Sequence, residues 1–190
     1  TFTLPEDWTD KRVYINFEGV GSAMYLWVNG KAVGYSEDMF TAKEFDLTIS
    51  LDHCTEGYLI ADKIKESGAR VILGPLMCDR CKPELKNLTF TAPAKLYEAG
   101  VEFGMMSDHP VQLTQYLPIA AALAVKNGLP AEEALKSITI YAARADFVDD
   151  RVGSLEPGKD ADIVLWDGNP LEIATRVKMV YLMGEKVRQY

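Results

Sequence analysis

The spacing of apolar residues changes along the chain, and the change falls near Ser50. Val13-Tyr-Ile-Asn-Phe17 alternates apolar and polar positions, and Ala23-Met-Tyr-Leu-Trp-Val28 is rich in aromatic and branched residues. Both patterns predict strands. Asn29-Gly30 follows at once and predicts a tight hairpin, with Lys31-Ala-Val-Gly-Tyr35 as the returning strand. Glu44 to Ile49 gives one more short extended run, so residues 1–50 read as antiparallel β without a helix.

After Ser50 the helical period takes over. Leu59, Ile60 and Ile64 fall on one face of a helix over 57–67, and Gly68 stands where a C-cap glycine belongs. Val71-Ile-Leu73 predicts a buried strand ending at Gly74-Pro75, and 93–98 a short helix stopped by Gly100. Val101 to Met106 predicts a second buried strand that delivers Ser107-Asp-His-Pro110 at its C-terminal end. A long helix is expected over 112–127, closed by Gly128. A further helix opens at Pro130, with Glu132 and Glu133 as first-turn charges, and continues over 138–145. Beyond Asp150 the pattern returns to β, with a strand over 161–166 and a hairpin of 177–182 with 186–188 through Met183-Gly184. The fold class is α/β, divided into 1–50, 51–150 and 151–190.

Composition narrows the functional classes. Of 190 residues 48% are hydrophobic, enough for a substantial core. Twenty Lys and Arg against 28 Asp and Glu give a net charge of −8, and no basic stripe forms, so nucleic acid is not an expected partner. No apolar run approaches the roughly 20 residues that span a bilayer, and the first ten residues lack the pattern of a signal peptide, so no membrane partner is expected. Three cysteines, Cys54, Cys78 and Cys81, cannot all pair within one chain, which favours a reducing, cytoplasmic setting. Cys78 and Cys81 form a lone C-x-x-C, read as two ordinary loop cysteines because no second pair follows.

The string Arg151-Val-Gly-Ser-Leu-Glu-Pro-Gly-Lys-Asp-Ala-Asp-Ile-Val-Leu-Trp-Asp-Gly-Asn-Pro170 resembles the closing segment of metal-dependent amidohydrolases, the imidazolonepropionase-like enzymes among them. Leu51-Asp-His-Cys-Thr-Glu-Gly57, the Gly74-Pro75 strand end, Ser107-Asp-His-Pro110 and 120–129 match the same family in the same order. The resemblance implies a partial (β/α) barrel over 51–150 with a C-terminal β segment. It implies His53 as a metal-ligand histidine and Asp108 as the aspartate that touches metal and takes a proton from attacking water. The implied cofactor is a divalent zinc or iron ion. The family also needs a His-x-His, a bridging lysine or carboxylate and a further histidine, yet His53 and His109 are the chain's two histidines. A solvated or hydrogen-bonded His53 and a turn-forming Asp108 stay open as simpler readings.

Residues 1–48 bear another likeness. Phe2-Thr-Leu-Pro-Glu-Asp-Trp8, Ser22-Ala-Met-Tyr-Leu-Trp-Val-Asn-Gly30 and Val33-Gly-Tyr-Ser-Glu-Asp38 resemble part of the sugar-binding jelly roll of family 2 β-galactosidases. The likeness implies Asp38 near a galactoside site; a plain turn aspartate is the alternative. Trp27 and Trp166 are expected in the core. The two likenesses meet without a linker, as in a chimera in which the first strands cover edges left by missing ones. Such a chain is expected to lack activity by itself, with amide hydrolysis and carbohydrate binding as alternatives. A homo-oligomer that shares strands between copies is the expected partner state.

Overall fold

The computed structural model describes residues 14–17, 24–28, 31–36, 43–46, 50–80 and 85–190. They form two compact units, Thr1–Ile49 and Ser50–Tyr190. In the first, β1 (Tyr14–Phe17) pairs antiparallel with β4 (Lys43–Asp46), placing Tyr14 opposite Asp46. β2 (Met24–Val28) pairs antiparallel with β3 (Lys31–Ser36), with Val28 opposite Lys31, and the turn expected at Asn29-Gly30 lies outside the described residues. A register shift between Leu26 and Trp27 marks a bulge.

The second unit is α/β. β5 (Ser50–Leu51), β6 (Arg70–Leu73) and β7 (Gly104–Met105) form a parallel sheet in that order, with Leu51 beside Val71 and Leu73 beside Met105. A 3-10 turn over Gly57–Ile60 and α1 (Ala61–Ser67) connect the first two strands, and α2 (Ala92–Glu98) lies between the second and third. α1 stops because Gly68, at φ 68°, takes the left-handed conformation and donates its N–H to the Lys65 carbonyl. Then come α3 (Leu117–Lys126), α4 (Ala131–Ser137) and α5 (Ile140–Ala145), followed by an antiparallel sheet of β8 (Ile163–Trp166), β9 (Val177–Leu182) and β10 (Glu185–Gln189). None of the described helices is long and apolar enough to cross a membrane.

One apolar core holds the parallel sheet to its helices. Ile64 of α1, Val71 and Leu73 of β6, Leu96 of α2 and Met105 of β7 are buried together with Phe103 and Leu129. Ala120, Ala121 and Ala124 put a small-residue face of α3 against them. Removing a Leu side chain of this kind from water contributes about 1.5–3 kcal/mol. β8 to β10 differ, because none of their residues is buried.

Three expected boundaries move. Val101 and Phe103 are buried, but only Gly104–Met105 pairs with β6, because the Val101 N–H still closes the end of α2 on the Leu96 carbonyl at 2.9 Å. The helix expected from Gln112 begins at Leu117, with Pro118 in its first turn, and the preceding Thr114–Tyr116 is a 3-10 turn. The expected continuation over 138–145 breaks at Thr139 (φ −134°, ψ −102°), whose hydroxyl donates to the Leu135 carbonyl at 2.7 Å. Trp166 is half-buried, since its sheet is open to solvent. Trp8 and the Trp27 side chain lie outside the described residues.

Glu133 ties α4 to α5. One carboxylate oxygen accepts from Lys136 at 2.9 Å and the other from the Tyr141 hydroxyl at 2.9 Å. The Lys136 hydrogen bond, helped by Tyr141 and opposed by burial, holds the Glu133 carboxyl below the usual carboxylate range. A folded pKa below the unfolded one gives stability that is present above the ordinary glutamate value and lost as pH falls through the depressed value. The thermal midpoint should therefore drop on acidification below about pH 4, and Glu133→Gln should flatten part of that slope. Parallel midpoint-against-pH curves for the two proteins would refute the assignment.

Candidate functional site

Two strand ends deliver the candidate residues. β5 ends at Leu51 and hands the chain to Asp52 and His53; the next N–H, that of Cys54, donates to the Ile72 carbonyl of β6 at 3.0 Å. β7 ends at Met105, the Met106 N–H donates to the Leu73 carbonyl at 3.0 Å, and Asp108 follows two residues on. His53 (φ 52°) and Asp108 (φ 49°) are both left-handed, a conformation that costs a non-glycine residue about 1–2 kcal/mol. Strain of that kind persists where the surroundings impose it, and it gathers at sites.

The left-handed turns aim the two side chains at one another. His53 Nε2 lies 3.1 Å from Asp108 Oδ2, while Nδ1 lies 3.7 Å from Asp52 Oδ2. Asp52 is held in turn, its Oδ1 accepting the His53 N–H at 3.0 Å. Side-chain exposures of 54% for His53 and 39% for Asp108 place the pair at a solvated mouth, where an ion pair contributes only about 0–1 kcal/mol. Geometry rather than energy makes the pair notable: strands far apart in sequence bring an imidazole nitrogen and a carboxylate oxygen to 3.1 Å.

The pair lines a cavity of about 1070 Å³ together with Cys54, Pro75, Met77 and Val111. Burial pushes the Cys54 thiol up, against a smaller opposing effect of the Gly57 N–H, so the free side chain is a protonated thiol at neutral pH. Cys78 also lines the cavity, and its Sγ donates to the Pro75 carbonyl at 3.3 Å. Cys81 and Asp38 lie outside the described residues. His109 is exposed and is not among the cavity's lining residues.

A zinc or iron centre needs three or four protein donors around one point. No group of three or more His, Cys, Asp and Glu among the described residues is arranged to hold an ion. His53 and Asp108 have the right chemistry and separation for two ligands of one ion, but the set formed by the described residues does not fit a resident metal.

Sequence patterns missed two features. Gln112, read as the start of a helix, is instead a buried link between loops, with its Oε1 accepting the Met77 N–H at 3.3 Å. The Glu133–Lys136–Tyr141 cluster also escaped, although the Glu133–Lys136 spacing of one helical turn was a readable signal.

Comparison with known proteins places both parts of the chain. The profile described as "Amidohydrolase family" matches residues 43–187, and that of "Glycosyl hydrolases family 2, sugar binding domain" matches residues 1–65. A β-galactosidase of Priestia megaterium is 60% identical over 48 residues, 25% of this chain and 5% of that protein. Amidohydrolase tasK of Hapsidospora irregularis is 29% identical over 190 aligned residues, 95% of this chain and 19% of its own length. Among solved structures, an amidohydrolase from Thermotoga maritima MSB8 superposes with a TM-score of 0.72 at 40% identity, over 74% of this chain and 37% of that one. An adenosine deaminase from Xanthomonas campestris with bound zinc gives 0.51 at 26% identity, over 72% and 36%. The chain thus spans well under half of each of these proteins.

Proposed function

Because this chain belongs to the amidohydrolase family, we propose that residues 51–190 are the C-terminal half of a metal-dependent hydrolase of C–N bonds, joined as a chimera to a β-galactosidase-like segment and inactive as a single chain. In this reading 51–150 is a partial (β/α) barrel, 151–190 its closing β segment and 1–50 the jelly-roll piece. The parallel order β5-β6-β7, with helices between successive strands, supports it. His53 is a former metal ligand, and Asp108 a ligand and proton acceptor of the parent site. The observation that carries the reading is their approach to 3.1 Å at the C-terminal ends of β5 and β7, with no third donor gathered among the described residues.

The family generally relies on a divalent metal, and the deaminase neighbour holds zinc. The two donors gathered among the described residues would leave such an ion open to water on most sides and easily lost. No hydrolytic step is assigned to the chain alone. The cytoplasmic placement rests on the cysteine count, three thiols that cannot all pair within one chain.

A second reading is that copies associate and complete one another. β5 and β7 each pair only with β6 among the described residues, so each offers an open edge to a strand from another copy. The test is an assay of an N-acyl amide with the chain and added zinc, compared with zinc alone. No extra turnover is expected from the monomer; turnover that His53→Ala abolishes in a confirmed monomer would overturn the proposal. Turnover confined to a dimer peak on size exclusion would favour the second reading.

A further inference from the structure

The loop that carries Asp108 is fastened to the end of β6 at more than one point. Besides the Met106–Leu73 hydrogen bond, the backbones pass so closely that a Cβ on Gly74 would lie 2.5 Å from the Met106 carbonyl oxygen. Beyond Asp108 the loop turns back, with the Val111 N–H on the Asp108 carbonyl at 2.8 Å and the Gln112 N–H on the Ser107 carbonyl at 3.1 Å. That return buries Gln112, which is 4% exposed, and sets its Oε1 against the Met77 N–H at 3.3 Å. Met77 belongs to the loop after β6, so one side chain clamps the loop after β6 to the loop after β7.

The other half of the amide has no such use. Gln112 Nε2 is buried with no hydrogen-bond partner among the described residues. A buried donor left unmade is unfavourable, and a methionine would fill the same space without it. A packing role alone therefore gives no reason for an amide; the oxygen on the Met77 N–H does.

The geometry points to Gln112 as a positioning residue: by clamping the loop after β6 to the loop that bears Asp108, it holds the Asp108 carboxylate within reach of His53. The inference rests on the placement of these loops, and it stands or falls separately from whether the chain, alone or assembled, hydrolyses anything.

The test reads His53 directly. The side-chain ¹⁵N and ¹³C resonances of His53 are recorded for the full chain, for Asp108→Asn, for Gln112→Met and for the double variant. Asp108→Asn should displace the His53 resonances. Gln112→Met, which removes both the oxygen and the unpartnered donor, should displace them in the same direction, with a melting temperature within about 3 °C of the parent. In the double variant the displacement should be no larger than in Asp108→Asn alone, because both changes break one linkage. Unmoved His53 resonances in Gln112→Met, or additive displacements in the double variant, overturn the inference. So does an unmoved His53 in Asp108→Asn, since no contact would then exist to position. Loss of the fold in Gln112→Met would also overturn it, by making Gln112 a structural residue.

Discussion

Leu73→Ala should destabilise the second unit by about 3–5 kcal/mol, the range for deleting a large aliphatic side chain where the surroundings cannot collapse. Leu73 ends the central strand of the parallel sheet and is 0% exposed. It shares its cluster with Leu96 of α2 and Met105 of β7, so the cavity would open between a sheet and a helix that are both fixed by other contacts. A domain of this size has only about 5–15 kcal/mol in total, so the variant should unfold at a much lower urea concentration, with an unchanged slope. Leu165→Ala, in an open sheet where Leu165 is 43% exposed, should shift the midpoint far less. Equal shifts in the two variants would mean that the core does not lie where the burial puts it.

Gly74→Ala comes second, with an expected loss of about 3 kcal/mol or more from two sources that add. Gly74 has φ 135°, where an L side chain is strained, and its Cβ would meet backbone, the Met106 carbonyl, at 2.5 Å. Backbone cannot swing aside as a flexible side chain can, so the loops after β6 and β7 would have to part. Gly68→Ala is the control: its φ of 68° brings the conformational cost, but nothing lies within 4 Å of a Cβ there. That variant should lose only about 1 kcal/mol. Urea midpoints decide the matter, and the account fails if the two alanines cost the same. Because Asp108 follows Met106 closely, Gly74→Ala should also disturb the His53–Asp108 contact while Gly68→Ala leaves it alone.

Local rules made much of this fold readable. Gly68 closes α1, Pro130 and the two glutamates open α4, and runs of branched and aromatic residues mark β8 and β9, because each signal depends on neighbours within one or two turns. Residues 101–106 show where such rules stop. Their apolar run reports burial, but whether a residue pairs with β6 is decided by where α2 finishes and how closely Gly104 approaches Ala142 of α5, a contact distant in sequence. Gln112 fails for the same reason, since its partner Met77 lies in another loop. His53 and Asp108 were found by resemblance to strand-end motifs; that they face each other at 3.1 Å needed the parallel order of β5, β6 and β7, which no spacing within either motif contains. Asp38 and the Cys78–Cys81 pair stay as sequence expectations, with Asp38 and Cys81 outside the described residues.

Native mass spectrometry of the zinc-saturated and then desalted chain addresses the metal question most directly, because it reads ion count and copy number in the same peak. The monomer peak should carry no retained zinc, and His53→Ala should leave its mass distribution otherwise unchanged. A monomer that keeps one zinc ion through desalting, and loses it on His53→Ala, would contradict the account.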